Sequence, residues 1–160
     1  MIQINIGDHH GRERVDAFTQ IPAMYLRQAR WARQRARKLV QDIPSADRYF
    51  QSLPNGRTLT AMLNDSSLWV NYSTDPLFGF TYQNNDIWIC TKSFRIGRWT
   101  VLATLVHELA HVNGAGNDHA AEQALINCGL GKRSEHTTGV DDPSTPYSPG
   151  ISGQCLRGSN

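Results

Sequence analysis

Residues 104–111 read Thr-Leu-Val-His-Glu-Leu-Ala-His, an H-E-x-x-H pattern inside an apolar run. On a helix, positions i and i+4 lie one above the other, so His107 and His111 can offer imidazole nitrogens to one metal ion. Glu108 projects from the same side, rotated by one residue, and reaches a water on that metal rather than the metal itself. From Thr100 to Val112 the run carries Val101, Leu102, Leu105, Val106, Leu109, Ala110 and Val112, apolar on nearly every face. That marks a buried helix. Two histidines and a glutamate in such a helix need partners, because unpaired buried polar groups are costly. A metal supplies them. Two histidine ligands and an open coordination position suit a catalytic Zn²⁺ site rather than a closed structural one. The bland alternative is a pair of satisfied core histidines.

The 160 residues suit one domain, 1–160, with enough chain for a substantial core. Hydrophobic content of 39% against 19% charged marks a globular chain rather than a disordered one. A net charge of +2 is too small to imply a nucleic-acid partner. No apolar run approaches the ~20 residues of a membrane span. The opening Met1–Gly11 lacks the basic and apolar regions of a secretory signal peptide. Cys90, Cys128 and Cys155 match no zinc-binding spacing. Cys128 and Cys155 either form a disulfide that ties down the tail or remain free thiols.

Residues 1–20 read as an extended or loop-like lead-in. His9 and His10 are expected to be exposed, since adjacent side chains point apart on any regular element. Pro22 opens a helix running to about Ile43. Leu26, Ala29, Ala36, Leu39, Val40 and Ile43 form its apolar stripe. Arg27, Arg30, Arg33, Arg35, Arg37 and Lys38 occupy the other faces, as a grip for an acidic partner or as a solvated face. The near-balanced total charge favours the solvated face. A second helix covers Ser45 to Leu53 with Ser45 as N-cap, and Pro54-Asn55-Gly56 turns the chain. Thr58 to Asn64 is helix or strand.

From Ser67 the character changes. Leu68–Tyr72, Phe78–Tyr82 and Ile87–Cys90 read as three strands of an antiparallel meander joined by polar turns. Arg95 to Trp99 links them to the H-E-x-x-H helix. Gly114 and Gly116 end that helix, and Asn117 or Asp118 caps the next, from His119 to about Cys128. The tail from about Lys132 is loop-rich. The expected class is α+β: N-terminal helices, a short antiparallel meander, the active-site helix and an antiparallel second helix.

Catalytic zinc takes three protein ligands. The short glycine-rich loop makes the two last helices a pair. His111 lies shortly before the turn and Glu122 shortly after it, each about 5–6 Å along its helix, so the two are level. Glu122 is therefore the leading third ligand. Asp118 and His119 reach the metal if the loop folds back, although Asp118 also suits an N-cap. A remote ligand such as His136 is a further alternative.

At these residues the chain resembles zincin metallopeptidases, in which strands precede an H-E-x-x-H helix and a later helix or loop adds the third ligand. Ile87–Phe94, a spacer and then Thr104–His111 resemble deuterolysin-type aspzincins. Those place an Asp ligand in a G-T-x-D-x-x-Y-G motif. Gly116-Asn117-Asp118-His119 matches it in part, and Ala121 replaces its Tyr, which counts against Asp118 as a ligand. His107–Gly114, Ala120–Leu125 and Cys128-Gly129-Leu130 are closer to small metallopeptidase domains of Rhs- and VgrG-associated proteins, bacterial toxins delivered by type VI secretion. The likeness covers about residues 87–130. It implies a toxin that is cytoplasmic in its producer and secreted into a target cell, a fusion or docking to a secretion spike or Rhs protein, and a cognate immunity protein.

The expected activity is that of a zinc-dependent endopeptidase acting on a protein or peptide substrate. Zn²⁺ on His107, His111 and Glu122 lowers the pKa of its water to about 7, and Glu108 is the general base. His136 and Tyr147 are candidates for a second oxyanion donor. An edge strand beside the cleft would hold an extended substrate. One rival is a zinc amidase acting on cell-wall peptides. Another is a metal-stabilised binding module that uses the basic helix at 27–38.

Overall fold

The computed structural model describes residues 1–9, 18–82 and 85–130. His10, His136, Tyr147, Cys155 and the tail from Lys132 lie outside these. The spine is α5 (Arg98–Val112), which leaves only Arg98, His107 and His111 less than fully buried. Its nearly uniform apolar surface has a neighbour on every side: α1 (Ala23–Asp42), α4 (Thr91–Ile96), α6 (Asp118–Asn127) and two strands. α1 approaches through Ala29, Ala32 and Ala36, small enough for close packing, and Leu39. Trp31 and Trp99 meet edge to face at 4.8 Å across that interface.

The arginines of α1 divide between surface and packing. Arg27, Arg30, Arg37 and Lys38 are exposed. Arg33 donates from Nη1 to the Ile2 carbonyl at 3.1 Å, and the Arg35 guanidinium lies over the Trp99 ring at 5.5 Å. Among the described residues, no helix is long and apolar enough to cross a membrane.

α2 (Pro44–Ser52) starts on a proline, which has no N–H to leave unpaired at a first turn. Ile43 therefore occupies the N-cap position expected for Ser45. The Ser45 hydroxyl instead donates to the Asn127 carbonyl at 2.7 Å and ties α2 to the end of α6. The ambiguous 58–64 segment is helix α3 (Leu59–Leu63), capped by Thr58 Oγ1, which accepts from the Ala61 N–H at 3.0 Å.

The sheet is mixed rather than an antiparallel meander. β1 (Gln3–Ile4), β2 (Trp69–Ser73), β3 (Gly79–Tyr82) and β4 (Asp86–Cys90) lie in the order β1-β2-β4-β3. β1 and β2 are parallel, β2 and β4 are parallel, and β3 is antiparallel to β4. Burial explains the order. Ile87, Trp88, Ile89 and Cys90 are all buried, so β4 takes an interior place. β3 carries Gly79 and Thr81 and stays half-exposed at the edge. The chain from β2 thus passes the place beside it, reaches the edge, and returns.

His9 is also placed differently from expectation. Its Nε2 lies 2.7 Å from Asp86 Oδ1, and its ring stacks on Trp69 at 4.1 Å, so it is part of the packing at the end of the sheet. Cys90 and Cys128 are buried thiols.

Candidate metal centre

The site begins with the way α5 stops. The Gly114 N–H donates to the His111 carbonyl, and the Ala115 N–H reaches back to the Ala110 carbonyl, both at 2.9 Å. This is a Schellman closure. Gly114 sits at φ +98°, and a Cβ there would meet Pro54 Cβ at 2.9 Å, so the position needs glycine. Asn113, fully buried, fastens the turn to the 50–57 segment. Its Nδ2 donates to the Phe50 and Arg57 carbonyls at 2.7 and 2.8 Å, and its Oδ1 accepts from the Arg57 N–H at 3.2 Å.

The fold-back aims the Ala115 carbonyl at His111 Nδ1, 2.8 Å away. A carbonyl only accepts, so Nδ1 carries the proton and the Nε2 of the neutral ring presents a lone pair. His107 Nδ1 likewise faces an oxygen, Glu122 Oε1, in an ion-pair contact of 3.2 Å. The two Nε2 atoms face each other at 3.1 Å. An approach this close takes either a proton on one of the two Nε2 atoms or a metal ion between them.

Asp118 completes the group. Asn117 Oδ1 caps α6 by accepting from the Ala120 N–H at 2.9 Å, so Asp118 is not the cap. Its Oδ1 lies 3.6 Å from His107 Nε2 and 3.4 Å from His111 Nε2. The pairings 111 with 118 and 107 with 122 run in opposite order, which makes α5 and α6 antiparallel. Zinc bonds of about 2.0–2.2 Å imply tetrahedral edges of about 3.3–3.6 Å between ligand atoms. The two Asp118 separations, 3.4 and 3.6 Å, fall in that range and the Nε2–Nε2 separation of 3.1 Å lies just below it, and two imidazoles with one carboxylate are a donor set that zinc accepts.

Glu122, the leading third ligand from sequence, stands on the opposite edge of the His107 ring from Nε2 and does not join the converging atoms. Its carboxylate contacts the imidazole from that side, where a carboxylate partner of a metal-bound histidine would sit. His119 is exposed and also outside the group. α6 is seated by the Tyr49 hydroxyl, which donates to the Ala120 carbonyl at 2.6 Å, and by Ser45 at its far end. Neither support left a mark in the spacing of the sequence motif.

The local field is acidic. Burial pulls the His107 pKa down, but the contact with Glu122 and the charges of Glu108, Glu122 and Asp118 outweigh it, and the net shift is upward. Burial pushes Glu108 up, partly offset by His107 and His111, with Asp118 adding to the rise. Glu108 is a buried carboxyl beside the converging nitrogens, set to exchange a proton nearer neutrality than an exposed glutamate.

These residues floor a cleft of about 630 Å³ whose wall is β3 from Gly79 to Thr81, with Leu77 and Phe78 before it. Gly79 makes the close approach possible. A Cβ there would lie 2.6 Å from Thr104 Cγ2, 2.7 Å from the Trp88 carbonyl oxygen and 3.3 Å from Glu108 Cγ. The Cys90 N–H donates to the Phe78 carbonyl, and Phe80 pairs with Trp88. By antiparallel alternation, the main-chain groups of Gly79 and Thr81 point away from β4, toward the edge of the sheet that no described strand covers. No protein-family model, curated protein sequence or solved structure matches this chain.

Proposed function

We propose that this chain is a zinc-dependent peptide hydrolase of zincin type. The observation that carries the reading is the convergence of His107 Nε2, His111 Nε2 and Asp118 Oδ1 at separations of 3.1 to 3.6 Å, with buried Glu108 alongside. Zinc held by these three residues would supply Lewis-acid chemistry and lower the pKa of a water from 15.7 to about 7. Glu108 takes a proton from the attacking water and returns it to the leaving amine nitrogen. Glu122 and the Ala115 carbonyl keep the imidazole Nε2 atoms turned inward. Gly79 and Thr81 pair with the main chain of an extended substrate and draw its carbonyl past Glu108. An open strand edge suits a peptide better than an isolated amide, which favours the endopeptidase reading over the cell-wall amidase. The use of Arg33 and Arg35 in packing weakens the binding-module reading. Delivery as a toxin, with an immunity partner and a secretion-spike carrier, is proposed on the resemblance of residues 87–130 alone.

The test is elemental analysis of the purified protein followed by hydrolysis of an unstructured protein substrate. About one zinc per chain and cleavage abolished by Glu108→Gln support the reading. A zinc-reconstituted protein that cleaves no peptide refutes it.

A further inference from the structure

We infer that Ser93 and Thr104 are positioning residues that set the substrate-pairing strand β3 against Glu108. The inference rests on the peptidase reading for its consequence, but on separate geometry for its existence.

Ser93 Oγ lies 2.8 Å from the Phe78 carbonyl oxygen and 2.9 Å from Thr104 Oγ1. The carbonyl only accepts, so the single Ser93 proton goes to it. The Thr104 hydroxyl must then donate to Ser93 Oγ. The result is a directed chain from α5 through α4 to the residue preceding β3. Both side chains are buried, Ser93 at 0% and Thr104 at 1% exposure, so water does not compete.

Thr104 uses both branches. Its hydroxyl faces Ser93, and its methyl group fills the space in which a Gly79 side chain would sit. It lies one helical turn before Glu108, on the same face of α5. The turn that carries the general base is therefore the turn that holds the strand. Apolar packing alone would let β3 slide along α5, because dispersion contacts have no direction. A hydrogen-bonded chain ending on one carbonyl fixes the register. The Phe78 carbonyl also accepts from the Cys90 N–H at 2.9 Å, so the same atom joins β3 to β4 and to α5.

The experiment uses the zinc-loaded full chain with Thr104→Val, which keeps the shape and removes the donor, and Thr104→Ser, which keeps the donor. Peptide kinetics, zinc content and hydrogen exchange at the Cys90 amide are measured together. The expected result for Thr104→Val is a kcat lower by on the order of 10- to 100-fold, since small misplacements of a reacting group have effects of that size. KM stays within about threefold, because the edge groups of β3 still pair with substrate. Zinc content is unchanged, the Cys90 amide exchanges faster, and Thr104→Ser recovers both properties. Unchanged kcat and exchange in Thr104→Val would overturn the inference. So would parallel losses of kcat, substrate affinity and zinc in both variants, which would mark general packing damage. If the wild type loads zinc but cleaves no peptide, the peptidase reading fails by itself. Exchange at Cys90 then decides the lock: faster in Thr104→Val upholds it, and unchanged overturns it.

Discussion

Glu122 Oε1 lies 3.2 Å from His107 Nδ1, across the imidazole from the nitrogen that faces His111. One carboxylate on α6 thus holds a ring, while another, Asp118, joins the ring nitrogens on their inner side. The two acids have different parts to play, and their variants separate.

On the proposed reading, removing Asp118 takes away a ligand, and removing Glu122 takes away the support of one. Asp118→Ala should therefore lose zinc on simple dialysis, whereas Glu122→Gln should keep it with an affinity lower by about 10- to 100-fold. Competition with a chromophoric chelator measures both. Equal retention of zinc by Asp118→Ala and wild type would return the third ligand to another residue.

Glu108→Gln should lose activity by about 10²- to 10⁴-fold with zinc content intact, the range for a positioned proton-transfer group. In the metal-free protein the same change carries a sign in stability. The folded-state pKa of Glu108 is raised by burial, so the folded form binds its proton more tightly than the unfolded chain does. Its contribution is fully present below the ordinary glutamate range and is lost as pH rises through the folded value. Metal-free Glu108→Gln should consequently gain on wild type as pH increases from 4 to 8. Thermal melts across that window check this, and a variant that loses ground to wild type with rising pH contradicts it.

Gly79→Val drives a side chain into Thr104 and the Trp88 carbonyl. Overpacking of this kind costs about 1–3 kcal/mol. Activity should fall further than stability, since β3 is displaced from Glu108. Urea unfolding beside peptide kinetics distinguishes the two effects, and full activity in this variant would remove β3 from the substrate path.

Asn113→Ala leaves the Phe50 and Arg57 carbonyls and the Arg57 N–H without their buried partner. A loss of about 3 kcal/mol is expected for a buried group of this connectivity. It should appear as a lower urea midpoint with an unchanged slope. Zinc affinity should fall with it, because the same turn presents Ala115 to His111 and carries the chain to Asp118.

The helices could be read from the sequence because periodicity and punctuation agree in them. Pro22 and Pro44 bracket α1, and the apolar run of α5 declares its burial. The sheet was legible as strands but not as an order. Local pattern marks Trp69–Ser73 and Asp86–Cys90 as extended, yet only the demand to bury β4 on both sides makes them neighbours. The surroundings of the histidines were less legible for a related reason. Counting rise from the loop sets Glu122 level with His111, whereas Glu122 meets His107, one turn farther along α5, and Asp118 meets His111. Rise says nothing of which edge of a ring is met. The Schellman turn also returns the chain sharply enough to bring the first residue of α6 to His111.

Asn117 and Asp118 are both good capping residues, and the chain uses only the first to start α6. Capping of that helix therefore makes no demand on the carboxylate at 118. On the zincin reading, a substitution there changes the coordination chemistry while the cap is kept. Metal preference could then drift through one codon, with Asp118 exchanged for a longer acid or a nitrogen donor, and the cap beneath it unaltered.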